Sequence, residues 1–226
     1  MGAKSSIGKS VAPRLTNLAP GLTDGFVREA LRHAISGLGP LPGAAAAAEK
    51  QLADHRGHVD GAVQELIDMH VRYAGAQGFV TNLGGLITAA VAIPTNVTGL
   101  ALIQCRMVAS IAHLRGYDVM DPRVRNAVLM STLGAGEVDQ RVKRKQLPAP
   151  PMAVATAPLH DPDLDRVISA EVASELIARV AGKRLATVIG RRVPMVGGLV
   201  GLSADAFATW RVGRYAEREF LPRARR

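Results

Sequence analysis

Cysteine and aromatic residues are scarce in this chain. Its 226 residues include a single cysteine, Cys105, so an intrachain disulfide framework is excluded. Aromatic side chains make up only 4% of the sequence, and runs of alternating β-branched residues are nearly absent. Hydrophobic residues nevertheless make up 48%, which excludes general disorder. With abundant alanine and glycine, these features predict an all-α fold, a single domain of closely packed helices in which Cys105 is a small core residue.

The N-terminus has no apolar segment of the kind found in secretory signal peptides. We expect residues 1–20 to be a flexible basic leader, residues 21–221 to form the helical domain and residues 222–226 to be an arginine-rich tail. The expected location is therefore the cytoplasm, with or without peripheral attachment to the inner face of the cell membrane.

Charged residues are missing from a long stretch in the middle of the chain, from Tyr73 to Cys105. About 20 apolar residues suffice to cross a bilayer, so the length alone permits a membrane span. Gly84–Gly85 and Pro94 interrupt the stretch, which predicts two helical pieces instead: Asn82–Ala92, and Pro94–Leu114 with Gly116 as its stop. Whether this stretch enters a membrane or a protein core stays open at this point.

A second apolar block, Val193–Trp210, contains one charged residue, Asp205. Its Gly197–Gly198 pair, followed by leucine, repeats the Gly84–Gly85 pattern of the first block. We predict that the two glycine-rich blocks pack together and that Arg106 of the first pairs with Asp205 of the second, because a buried carboxylate needs a cation or must become neutral. The alternative is that Asp205 faces solvent near a helix start.

The remaining helices are predicted from apolar periodicity and capping residues. Residues 146–162, which are rich in proline, are expected to be a linker or surface loop within the domain. The predicted helices are one from an N-cap at Thr23 to Gly37, Ala44–Arg56, Val59–Ala76, one that begins at Asp121–Pro122 and continues past Gly134 and Gly136, and one that begins at Asp161–Pro162.

Several polar residues within apolar surroundings are candidates for a site. His70 lies on an apolar helical stripe, where a hydrogen-bonded core histidine is more common than a ligand or catalytic group. Asp54, His55, His58 and Asp60 flank a turn, and their spacing matches no known metal site, so we expect neither a metal nor a cofactor. The candidates to bind a ligand or to form buried polar contacts are Asn82, Asn96, Gln104, Arg106, Asp205 and His70.

The formal net charge is +9, and much of the excess lies in residues 123–145 and in the tail from Arg211. Such charge runs are often solvated helix faces. If they bind a partner, anionic lipid is the better candidate, because no aromatic stacking platform or zinc-finger spacing indicates nucleic acid.

The segments GFVTNLGGLITAAVAIPTNVTGLALIQCRMVASIAHLRGYD, DPRVR and GKRLATVIGRRVPMVGGLVGLSADAFATWRVGRYAEREF resemble the EcsC family, named for the third gene product of a bacterial ABC-transporter operon. The resemblance covers roughly residues 43–220. It implies a helical bacterial protein that is associated with membranes or transport and has no agreed catalytic activity, and it supplies no catalytic residues. The family motifs are matched at Gly84, Gly85, Pro94, Arg106, Gly197, Gly198 and Asp205.

Two functional hypotheses follow. The first is a non-enzymatic accessory or adaptor protein held at an anionic membrane surface or on a membrane protein by basic residues. The alternative is a carrier or sensor that encloses a lipid or other hydrophobic small molecule, with polar side chains such as Gln104 and Arg106 on its headgroup. An enzyme is less well supported, since no nucleophile motif or paired carboxylates are present. Homo-oligomer formation stays open.

Overall fold

A computed structural model describes the backbone of residues 25–83, 95–189 and 194–224, and the side chains of residues 25–76, 99–179 and 204–224. The predicted all-α fold is confirmed: the described residues form helices and no strands, apart from an isolated bridge between Leu38 and Leu41. The helices are α1 (Gly25–Ser36), α2 (Ala44–Asp54), α3 (Val59–Leu83), α4 (Thr95–Leu114), α5 (Pro122–Leu133), α6 (Ala135–Lys143), α7 (Pro151–Ala155), α8 (Pro162–Ile189) and α9 (Pro194–Glu219).

Local capping fixes two of the helix starts that the sequence predicts. The Asp121 carboxylate accepts the backbone N–H of Arg123 at 2.9 Å, and Asp161 accepts that of Asp163 at 3.0 Å. In each case a proline follows the aspartate at the first helical position, where a missing N–H costs nothing. The predicted N-cap at Thr23 lies outside the described residues.

The centre of the fold is formed by α3, α4 and α9. The Gln64 amide donates to Glu217 at 2.9 Å, while Ile67 lies against Gly213, so α3 and α9 run antiparallel. Met107 of α4 also lies against Gly213. A Cβ at Gly213 would lie 2.9 Å from Ile67 Cγ1 and 3.2 Å from Met107 Sδ, so this glycine allows three helices to meet.

The outer helices cover this centre. The Ser110 hydroxyl of α4 donates to the carbonyl of Ala44 at 2.9 Å, which attaches α2. Arg28 of α1 donates to Ser169 of α8 at 3.1 Å. The buried side chains of all these helices form one continuous apolar core, in which Cys105 is buried as predicted.

Two predicted helix boundaries are wrong. α3 does not end at Ala76 but continues through Gly78 to Leu83, since a single glycine costs a helix only about 1 kcal/mol. Asn82 and Leu83 are therefore the last residues of α3, and the remainder of the predicted helix Asn82–Ala92 lies outside the described residues. The helix after Asp121 does not continue past Gly134, which has φ +82° and separates α5 from α6.

The predicted end of α4 is confirmed. The helix ends at Leu114, and Gly116 follows with φ +86°. The predicted start at Pro94 lies outside the described residues.

The proline-rich segment is packed more closely than a linker or surface loop. It contains the short helix α7, and its apolar side chains are buried against the body at Leu147, Pro151, Val154 and Ala155. Arg123 donates a side-chain hydrogen bond to the carbonyl of Ala157 and attaches the end of the segment to α5. The segment therefore contacts the core although its sequence shows no helical periodicity.

The residues after α9 also contact the body. The backbone N–H of Arg223, in the predicted tail, donates to the carbonyl of Arg115 at 2.9 Å, and its guanidinium lies over the Tyr117 ring. Within the described residues, no helix combines the length and apolar composition needed to cross a membrane.

Candidate functional site

A buried polar contact joins the two apolar blocks. Gln104 of α4 is fully buried, as the sequence predicts, and its side-chain amide donates to Thr209 Oγ1 of α9 at 3.2 Å. The Gln104 Oε1 atom is buried and has no hydrogen-bond partner. A buried acceptor without a partner costs about 1–3 kcal/mol, so this amide is only half satisfied.

His70 of α3 is a second buried polar group in this region. Its Nδ1–H donates to the carbonyl of Leu66 at 2.7 Å, which leaves Nε2 as an acceptor, buried and without a partner. Burial lowers the pKa of His70 to about 4. The hydrogen bond agrees with the more common of the two sequence interpretations, a core histidine. The unpaired Nε2 leaves a ligand role open.

These groups lie at similar heights in the three-helix centre. Ile67, Met107 and Gly213 form one layer of contacts. One helical turn from that layer, towards the end of α3 and the starts of α4 and α9, lie His70 on α3, Gln104 on α4 and Thr209 on α9. We call these three residues the polar layer. Two acceptors of this layer, His70 Nε2 and Gln104 Oε1, are buried without a hydrogen-bond partner.

The predicted pairing of Arg106 with Asp205 is not formed: no ion pair joins these residues among the described side chains. Arg106 is partly buried and lies close enough to Tyr73 and His70 of α3 to affect them electrostatically. Burial lowers the pKa of Arg106, and its Nε has no hydrogen-bond partner. The physical reason is rotation: Arg106 follows Gln104 by two residues, about 200° around the helix, and so faces away from α9.

Asp205 lies one turn before Thr209 on α9 and is only 4% exposed. The alternative interpretation, in which Asp205 faces solvent, is therefore wrong. The carboxylate is engaged in a polar interaction of its own. Its position places a buried acid next to the polar layer.

The other predicted site residues lie partly or wholly outside the described part of the chain. Asn82 and Asn96 belong to the backbones of α3 and α4, and Gly197 and Gly198 to α9, but their side chains or surroundings lie outside the described residues. Gly84, Gly85 and Pro94 lie outside them entirely. Of the predicted site residues, the structure thus joins Gln104 to Thr209, places His70 within electrostatic range of Arg106, and buries Asp205.

An exposed face of α9 was not predicted from the sequence. Phe207 and Trp210 are 58% and 44% exposed, and their rings stack with centroids 6.0 Å apart. Three arginines continue the same helical face at Arg211, Arg214 and Arg218. We call these five residues the basic-aromatic face. Their spacing of three and four residues could have indicated it, but Trp210 was assigned to the apolar block.

The basic segment 123–145 proves to be partly neutralised. Arg123 pairs with Asp121. Arg141 contacts three carboxylates, those of Glu137, Glu171 and Glu175, and joins α6 to α8. These two arginines stabilise the fold, so the excess of arginine in the sequence overstates the charge that this segment offers to a partner.

The histidines near the α2–α3 turn make backbone contacts. His55 Nδ1 lies 2.9 Å from the carbonyl of Gln51, and His58 Nδ1 lies 3.0 Å from that of His55. No group of three or more potential metal ligands occurs in the part of the chain that the structure describes.

Comparison with known proteins gives one informative result. No curated protein and no solved structure matches this chain. The model of the EcsC protein family matches residues 57–224, which is most of the chain and includes α3 to α9. The resemblance inferred from the sequence motifs is thereby confirmed, and the chain belongs to the EcsC family.

Proposed function

We propose that this protein is a non-enzymatic accessory protein that docks on an anionic membrane surface through the basic-aromatic face of α9. The observation that supports the proposal is the exposed, stacked pair Phe207 and Trp210 beside arginines on one helix face. Aromatic rings favour the headgroup region of a bilayer, and arginines favour anionic lipids.

The expected binding energies are those of a weak, reversible attachment. A basic residue near an anionic surface contributes about 1 kcal/mol. Arg211 and Arg218 are exposed, whereas Arg214 pairs with Glu217 at 2.7 Å and contributes less. Two arginines therefore account for about 2 kcal/mol, roughly a 30-fold change in affinity, and partial burial of the two aromatic rings adds to it.

Vesicle flotation tests the proposal. At low salt the full chain is expected to float with vesicles of phosphatidylglycerol and phosphatidylcholine, to float less at high salt, and not to float with phosphatidylcholine alone. The double variant Arg211→Gln/Arg218→Gln should bind roughly 30-fold more weakly, and Phe207→Ser/Trp210→Ser at least about tenfold more weakly.

Matched variants separate this face from general charge and apolar exposure. Lys143→Gln/Arg144→Gln removes the same charge from exposed positions on and after α6, and Leu159→Ser removes an exposed apolar side chain from a loop. Both should bind like the unmodified protein. Equal losses in the α9 and control variants, or no flotation at low salt, would contradict the proposal.

A second candidate function is a carrier or sensor for a hydrophobic molecule that has a polar group. It is favoured by the unpaired, buried atoms His70 Nε2 and Gln104 Oε1, which a ligand hydroxyl or amide would satisfy. Mass spectrometry of organic extracts from the purified protein tests this function. A stoichiometric lipid that is lost in Gln104→Leu supports it, and an extract without any such compound contradicts it.

A further inference from the structure

A cleft of about 630 Å³ lies at one end of the three-helix centre. It is bounded by the start of α3, the end of α4 and the residues that follow α9. Two arginines, Arg115 and Arg223, line it together with His58, and Pro222 forms an apolar wall. Among the described residues of the lining, Asp60 is the only acidic one. Three segments far apart in sequence thus form a concave surface that carries two arginines and one carboxylate.

The start of α3 gives this cleft a set of backbone donors. The first intrahelical hydrogen bond runs from Ala62 N–H to the carbonyl of His58, at 3.0 Å. The N–H groups of residues 59–61 precede that bond, and all three residues line the cleft. Such a helix N-terminus carries partial positive charge and is suited to bind an anion.

Arg115 brings a guanidinium to the cleft. The residue is only 9% exposed, lines the cleft, and has a buried Nε without a hydrogen-bond partner. Its Nη2 lies 3.0 Å from Asp60, whose side chain is 84% exposed, and 4.0 Å from Glu217 of α9. An anion in the cleft would compete with these two carboxylates for the Arg115 guanidinium.

Arg223 is held at the opposite side. Its backbone N–H donates to the carbonyl of Arg115 at 2.9 Å, and its guanidinium lies 5.2 Å from the centroid of the Tyr117 ring. The stacking restricts the side chain, so less entropy is lost when it binds a ligand. Both arginines are thus positioned before any ligand arrives.

We propose that this cleft binds a phosphate group through the N-terminus of α3, Arg115 and Arg223. Tetrahedral oxyanions match both the forked donors of arginine and the N–H groups of a helix start. The phosphate can belong to a soluble phosphate ester or to a lipid headgroup, and both sources have the same recognition chemistry.

Titration of the ¹⁵N-labelled full chain with inorganic phosphate, followed by NMR, tests this site. We expect saturable shifts of the amides of Val59, Asp60 and Gly61. Arg223→Gln keeps the backbone hydrogen bond and should weaken binding about tenfold, because a charge-assisted contact is lost. Asp60→Asn removes the carboxylate that lies 3.0 Å from Arg115 and should strengthen binding several-fold.

Arg166→Gln is the matched control, because it removes one exposed arginine from α8, which does not line the cleft. It should leave phosphate affinity unchanged. Weaker binding by Asp60→Asn, equal losses in the Arg166 and Arg223 variants, or shifts that never saturate would overturn the proposal.

Flotation with vesicles of phosphatidic acid and phosphatidylcholine distinguishes the two sources. If Arg223→Gln weakens both flotation and inorganic phosphate binding, the phosphate is that of a lipid. If it weakens inorganic phosphate binding alone, the ligand is a soluble phosphate ester. The cleft is not lined by residues of the basic-aromatic face. Phosphate binding by the Phe207→Ser/Trp210→Ser variant should therefore be unchanged.

Discussion

His70 should make the stability of the fold depend on pH. Its imidazole is almost completely buried, with Nδ1–H bonded to the Leu66 carbonyl and with Arg106 nearby. Burial is the main cause that lowers its pKa from 6.5 to about 4, and the positive charge of Arg106 acts in the same direction. The folded protein therefore disfavours a proton at His70 that the unfolded chain accepts.

The sign and size of the effect follow from this difference. Between pH 6.5 and about 4 the unfolded chain binds the proton and the folded protein does not, so the free energy of unfolding falls as the pH falls. A shift of about 2.5 pKa units corresponds to about 3 kcal/mol, which is fully lost below about pH 4 and fully present above about pH 7.

Urea unfolding of the unmodified protein and of His70→Gln, from about pH 7.5 to about pH 4.5, measures this contribution. The variant has no imidazole to protonate, whereas all other titrating groups are shared. Its stability should fall less on acidification, by about 2.5 kcal/mol over this range. Parallel pH dependences of the two proteins would refute the assignment of a buried, neutral His70.

Three further predictions concern the helical centre. Thr209→Val leaves the buried amide of Gln104 without its partner and should lower the free energy of unfolding by about 1–3 kcal/mol. Gln104→Leu removes the amide itself and should cost less. Urea unfolding of the two variants makes the comparison. Gly213→Ala should destabilise by about 1–3 kcal/mol through overpacking, whereas Gly136→Ala, with open space around its Cβ, should be neutral or stabilising. Burial raises the pKa of Cys105 to about 12, so this thiol should react with Ellman's reagent only after unfolding, and rapid reaction of the folded protein would contradict its place in the core.

Features that depend on neighbouring residues in the chain were predictable from the sequence. Asp121 and Asp161 cap their helices because the carboxylate and the N–H that it accepts are two residues apart. Gln104 was predicted to be buried because it lies on the apolar stripe of its helix, and Cys105 because it lies in the uncharged stretch Tyr73–Cys105.

Features that depend on how helices are rotated against one another were not predictable. The sequence indicated that Asp205 is enclosed, but pairing it with Arg106 required knowledge of which side of α4 faces α9. The extension of α3 past Ala76 and the break at Gly134 were not predictable either, because glycines occur in both places with similar local propensity.

The exposed aromatics and the cleft illustrate two other limits. Phe207 and Trp210 are residue types that are usually buried. They are exposed here because α9 packs against the core through its other faces. The cleft combines residues 58–61, 114–115 and 222–223, which no local pattern connects.

The most direct test of membrane docking uses Trp210, which is the only tryptophan in the chain and lies on the basic-aromatic face. Its fluorescence is measured while vesicles of phosphatidylglycerol and phosphatidylcholine are added at low salt. The proposed function predicts a shift of the emission to shorter wavelength, quenching by brominated lipid, and reversal of both at high salt. Emission that stays unchanged while the protein binds the vesicles would contradict docking through α9.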